Sequence, residues 1–185
     1  MKLATATKTV SYGEWLTMPI VEDAIEEVVD GEIRLMPPNK TAHAKIVQTL
    51  TAAFVRQLDE SKIQIYGSTF GLVIRKEPLT CRVPDLALFI KANVVEEDGY
   101  VHSPPELVVE VLSPSNTPAR VREKLSEYEA IRVPEVWVLS PEVRTVEVFR
   151  LRGNKLDKSV MLTDGPLSAQ SFPEASVDVD AVWPD

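Results

Sequence analysis

Residues Glu106 to Leu112 (Glu-Leu-Val-Val-Glu-Val-Leu) restrict the fold more than any other part of the sequence. A run this apolar and β-branched reads as a strand buried on both faces, so the sheet that holds it must be covered by other layers. Alternation sets Leu107, Val109 and Val111 on one face and Val108, Glu110 and Leu112 on the other. Glu110 is then an ionisable group in apolar surroundings, tolerated only if it is paired or binds a metal. A salt-bridged core glutamate is the structural explanation; a site is the functional one.

A second strand repeats the anomaly. From Arg82 to Ile90, the residues Val83, Asp85, Ala87 and Phe89 share one face and Pro84, Leu86, Leu88 and Ile90 the other, which again leaves one carboxylate in an apolar pattern. If the strands are neighbours with both carboxylates on one face, the charges repel unless a cation lies between them. Hard oxygen ligands of this kind suit Mg²⁺ or Mn²⁺. Pro84 removes a ladder hydrogen bond and belongs at a strand beginning, an edge or a bulge.

These residues carry a family resemblance. Val83-Pro-Asp85, then Glu110-Val-Leu-Ser-Pro-Ser-Asn-Thr117, then Arg122-Glu-Lys-Leu-Ser-Glu-Tyr128 and Val133-Pro-Glu-Val-Trp-Val-Leu139 follow one another in an order that resembles the Uma-two family of restriction endonucleases, within the PD-(D/E)xK nuclease superfamily. The likeness runs from about Glu27 to Trp183. It implies a Mg²⁺-dependent endonuclease acting on DNA, with Asp85, Glu110 and the backbone carbonyl of Val111 as metal ligands. The superfamily lysine, two residues after the glutamate, is replaced by Leu112; the resemblance relocates it to the following helix, at Lys124. It also places His43 and Glu27 near the site as accessory candidates. The acid, glycine and aspartate that family members often carry near positions 120, 132 and 140 are here Arg120, Arg132 and Ser140.

Composition enters as a bound. At 185 residues, with 44% hydrophobic and 26% charged, the chain fits one globular domain. A single cysteine, Cys81, precludes an intramolecular disulfide. No long apolar run provides a signal peptide or a membrane span, which points to the cytoplasm. The net charge of −8 opposes tight binding to nucleic acid, whose affinity comes from Lys and Arg neutralising phosphates. A bound divalent ion, a local basic patch or a partner would have to supply the missing positive charge.

In chain order, residues 1 to about 12 read as a loose terminus and Glu14 to Met18 as a short turn. Asp30-Gly31 joins the acidic stretch from Val21 to Val29 with Glu32 to Met36 in a hairpin. On that reading Glu27 and Glu32 are candidates for the site, but exposed hairpin glutamates are the plainer reading. Pro37-Pro38-Asn39 ends the hairpin, and Thr41 caps a helix to about Leu58 whose stripe is Ile46, Leu50, Ala53, Phe54 and Leu58; His43 lies in its first turn. Ile63 to Arg75 forms one bent strand or two short ones before a turn at Lys76 to Thr80. Lys91 to Pro105 is a long acidic connection in which Tyr100 and His102 are available to a substrate, though a solvated loop is the plainer reading. Thr117 and Pro118 open a second helix, striped by Val121, Leu125, Tyr128 and Ile131 with Lys124 on the stripe's edge. Glu135 to Leu139 then returns as a strand, giving a β-α-β unit, and Arg144 to Arg150 forms the next strand.

The expected architecture is a mixed α/β sheet of the restriction-endonuclease type, flanked by helices and preceded by a β-hairpin. Two functions compete. One is a Mg²⁺-dependent nuclease hydrolysing DNA phosphodiesters, for which a homodimer would suit double-strand cleavage. The other is a catalytically silent nuclease-like fold that binds protein or nucleic acid.

Overall fold

The computed structural model describes residues 9–19, 21, 24–38, 40–113 and 116–184. Residues 1–8 of the expected loose terminus, Glu22 and Asp23 of the acidic stretch, Asn39, and Pro114 and Ser115 of the Ser-Pro-Ser motif lie outside them.

The first described element is helix α1 (Tyr12–Leu16), opened by a capping box between Ser11 and Glu14, where the sequence suggested a short turn from Glu14 to Met18. Strands β1 (Ile25–Val29) and β2 (Glu32–Met36) make the expected hairpin. At its turn, Asp30 (φ 51) and Gly31 (φ 82) both take the left-handed conformation that a two-residue hairpin needs. Helix α2 (Thr41–Gln57) follows; its N-cap is Lys40, not Thr41, and no side chain caps it. Next come β3 (Ile63–Gly67), β4 (Leu72–Lys76), β5 (Leu79–Arg82) and β6 (Leu86–Ile90).

The expected strand from Arg82 to Ile90 is thus two strands, and they lie in different sheets. Proline has no N–H to give a ladder, which interrupts pairing at Val83-Pro84-Asp85, and there the chain crosses from one sheet to the other. The expected connection from Lys91 to Pro105 contains a small hairpin, β7 (Glu96–Glu97) and β8 (Tyr100–Val101), that extends the first sheet beside β4. Tyr100 stacks near Trp15 and the His102 ring sits against Tyr12, so both residues anchor α1.

The central strand is β9 (Leu107–Val111), buried along its whole length as its sequence demands. Helix α3 (Pro118–Ala130), capped by the Thr117 hydroxyl, leads to β10 (Glu135–Ser140), parallel to β9. Then β11 (Thr145–Arg152), β12 (Lys155–Leu162), β13 (Pro166–Ala169) and β14 (Phe172–Asp178) complete the chain. The first sheet runs β2-β1-β5-β4-β8-β7, the second β12-β11-β10-β9-β6-β3, and β13-β14 form a separate hairpin.

Both faces of the second sheet are covered. Leu107, Val109 and Val111 pack with Ile46, Leu50 and Phe54 of α2 and with the β13-β14 hairpin. On the other face Val108, Val136 and Val138 pack with Tyr128, Val121 and Leu125 of α3. The carboxylate-bearing end of β9 therefore lies between two helices on opposite sides of one sheet.

Candidate active site

The site grows from the pairing of β6 with β9. Leu86 faces Val109 and Ala87 faces Val108; one residue further, the same antiparallel register sets Asp85 across from Glu110. Asp85 and Glu110 are each 8% exposed. Asp85 accepts the Val111 backbone N–H through Oδ2 (2.7 Å), while its Oδ1 lies 3.0 Å from His43 Nε2. His43 is itself buried in the first turn of α2, and its Nδ1 has no partner among the described residues.

Glu110 is held from the α3 side. Lys124 Nζ stands 2.8 Å from its Oε2, and the Tyr128 hydroxyl donates to its Oε1 at 2.5 Å. These positions are one helical turn apart, so both side chains descend from the same face of α3. Lys124 also reaches Glu27 Oε1 at 3.1 Å. Glu27 corrects the exposed-hairpin reading: it is 2% exposed and points from β1 into the site. It accepts from Arg82 Nη1 (2.7 Å) and from the Val83 N–H (3.2 Å). Glu32 enters none of these contacts.

Arg82 is the hub of this side. Its guanidinium binds Glu27, Glu123 (2.9 Å) and Glu127 (2.5 Å), and Arg34 of β2 grips Glu123 at 2.6 Å. Five carboxylates, Asp85, Glu110, Glu27, Glu123 and Glu127, thus face three fixed cations, Lys124, Arg82 and Arg34. The negative excess falls on the Asp85–Glu110 end, where a cation is electrostatically favoured. The donors there are hard oxygens. Among the described residues no three His, Cys, Asp or Glu side chains form a ready-made metal group, so an ion would take two carboxylates, a backbone carbonyl and water, a set that Mg²⁺ accepts.

The order in which these residues occur is matched by a known family: the model described as "Putative restriction endonuclease", Uma2, covers residues 14–180. The chain belongs to the Uma2 family. Its fold is that of a nuclease solved from Anabaena variabilis, described as a "putative nuclease belonging to DUF820": the TM-score is 0.76 at 19% identity, over 94% of this chain and 97% of that one. No curated protein matches the sequence.

Within this Uma2 chain the fields of the site are uneven. Glu110 is pushed up to about 7, because burial, together with the charges of Asp85 and Glu27, outweighs the pull of Lys124. Burial acts to lower Lys124, but the carboxylates of Glu110, Glu27 and Asp85 outweigh it and hold the ammonium firmly protonated. Glu27 stays below the usual carboxylate range despite burial, because Lys124 and Arg82 flank it. Glu135 offers a contrast. It is completely buried and is saturated by Trp137 Nε1 (2.5 Å), Arg150 Nε (2.9 Å) and the Gln170 N–H (3.2 Å), as a structural core carboxylate should be.

Sequence reasoning missed Arg82 and the bonding role of Tyr128. Arg82 had a signal, a lone arginine in the otherwise apolar or small run Leu79-Thr-Cys-Arg-Val83. Tyr128 had none, because an aromatic on a helical stripe reads as core.

Proposed function

We propose that this Uma2 chain is a metal-dependent nuclease that hydrolyses phosphodiester bonds in DNA, with Asp85, Glu110 and Lys124 as the PD-(D/E)xK set. One observation carries the reading: Lys124, displaced by fourteen residues from the glutamate, still presents its ammonium 2.8 Å from Glu110 at the point where Asp85 comes across the sheet. Asp85, Glu110 and the Val111 carbonyl would hold Mg²⁺ or Mn²⁺, which polarises a scissile phosphate and lowers the pKa of an attacking water.

The chain's own residues do the rest. Lys124, fixed as a cation by its carboxylate neighbours, acts as a charged hydrogen-bond donor to the attacking water or to the charge that develops on phosphate; a general base would need a neutral amine. Glu27 holds Lys124 from behind, Tyr128 fixes the second oxygen of Glu110, and His43 orients Asp85. The buried α2 and α3 packing keeps these groups from rotating, which is how positioning lowers a barrier.

A binding module without catalysis is the second reading. It is favoured by the engagement of both Glu110 oxygens with protein donors, which an incoming ion must displace. Plasmid cleavage separates the two. Purified protein should nick plasmid DNA with Mg²⁺ or Mn²⁺ and not with EDTA, and both Asp85→Asn and Lys124→Met should be inactive. Removing Lys124 leaves Glu27 and Glu110 buried without their cation, at a cost of about 3 kcal/mol, so circular dichroism must first establish that the variant is folded. Cleavage by a folded Lys124→Met protein would remove Lys124 from the chemistry; no cleavage by wild type under any divalent ion would favour the binding module.

A further inference from the structure

We infer that Arg120 and Lys40 are the phosphate-backbone contacts of this site, gripping a nucleic-acid strand that crosses the end of the central sheet between α2 and α3. The inference rests on the nuclease reading and adds to it where the substrate lies.

Among the described residues some cations are paired and others are not; Lys45, Arg56, Arg122, Arg144 and Arg152 are unpaired surface cations, and Arg120 and Lys40 are set apart from them by their place beside the site. Arg34, Arg82 and Lys124 are consumed by carboxylates inside the site, and Arg75, Lys76, Arg150 and Lys158 are paired elsewhere. Arg120 and Lys40 are exposed and belong to no ion pair among the described residues. Arg120 precedes Lys124 by one helical turn on α3, so both project from one face of the helix. It lines the same small cavity as Glu110, Lys124, Tyr128 and Asn116, a cavity with room for about one water molecule. Arg120 is therefore an exposed member of the same lining that holds the buried Glu110–Lys124 pair.

Lys40 marks the opposite side. It is the N-cap of α2, three residues before the His43 that touches Asp85. Because α2 and α3 cover opposite faces of the second sheet, the two cations flank the Asp85–Glu110 end from both sides. An extended polyanion laid across that end meets a free cation on either side of the carboxylates. A guanidinium and an ammonium with no internal partner fit phosphate oxygens. In a chain of charge −8 they also supply local positive charge where the net count has none.

Binding is measured with a labelled DNA duplex by fluorescence anisotropy, Ca²⁺ replacing Mg²⁺ to allow association without turnover, over a series of salt concentrations. Each lost phosphate contact should weaken binding equally for unrelated sequences and lower the slope of log K against log salt by about one. Arg120→Ala and Lys40→Ala should each do so, Arg120→Lys should restore the slope, and the double variant should lose about two. Arg152→Ala is the control, an equal charge change on an exposed residue at the far end of β11. Equal losses for Arg152→Ala and Arg120→Ala would reduce the effect to net charge and overturn the inference. So would unchanged slopes in Arg120→Ala and Lys40→Ala proteins when wild type binds and cleaves DNA, an outcome that leaves the nuclease reading standing. A wild-type protein that neither binds nor cleaves DNA removes both.

Discussion

Glu110 is the residue on which pH should act. In an unfolded chain it titrates near the ordinary 4.5, whereas burial in the fold pushes it up to about 7 against the pull of Lys124. Between those values the folded protein holds the proton more firmly than the unfolded chain. Its contribution to stability is therefore complete below about 4.5 and is lost as pH rises through about 7. In metal-free protein, the unfolding free energy of wild type minus that of Glu110→Gln, from denaturant titrations, should fall across this window; a flat or rising difference would contradict the buried, proton-retaining glutamate. Both Glu110 and Asp85 were legible in the sequence because a carboxylate interrupts an alternating apolar strand, a local signal. Lys124 was half-legible: its place on the stripe's edge allowed an inward or an outward ammonium, and in the fold it turns inward to Glu110 and Glu27. Glu27 itself was not legible. Beside Asp30-Gly31 it has the pattern of a solvated hairpin, and only the docking of β1 against α3 through Arg82, a contact between segments far apart in sequence, buries it.

At the scale of elements, the end of α3 carries a cost that one substitution should relieve. The Val133 N–H bonds Tyr128 O and the Arg132 N–H bonds Glu129 O, both at 2.9 Å, which is a Schellman closure around Arg132 at φ 63. Glycine takes that conformation freely, and a side chain pays for its Cβ. The Arg132 side chain returns part of the cost through Asn154 Oδ1 (2.5 Å) and Gly153 O (3.3 Å), but it is exposed and those bonds compete with water. Arg132→Gly should raise stability by about 1 kcal/mol, seen as a higher denaturant midpoint at unchanged slope. A lowered midpoint would mean that the Asn154 and Gly153 bonds outweigh the strain. The same helix shows why elements were readable. Thr117, Pro118 and the stripe to Tyr128 specify α3 locally, and β9-α3-β10 follows from two apolar runs that a helix must join in parallel. The assignment of strands to sheets was not readable: Pro84 signals an interruption of the ladder, but the partners that send β5 and β6 to different sheets, β1 and β9, are remote.

Over the whole molecule, charge sets the terms of any encounter with nucleic acid. The chain carries −8, so net charge does not attract it to phosphate. Repulsion is worst at the site, where five carboxylates converge and the flanking Lys40 and Arg120 are unpaired cations placed to oppose them. A divalent ion changes this locally. Held by Asp85 and Glu110 as proposed, it would supply positive charge where the carboxylates converge and so favour a phosphate there, while distant surface charge is screened within about 10 Å at ordinary salt. Affinity for DNA should therefore be weak in EDTA and rise at least about tenfold with Ca²⁺ or Mg²⁺, and Asp85→Asn should abolish most of that rise while leaving the metal-free affinity nearly unchanged. Anisotropy titrations with and without the ion measure both. Tight binding in EDTA at moderate salt would place the affinity in a basic surface independent of Asp85, and an ion-driven rise that persists in folded Asp85→Asn protein would place the ion elsewhere.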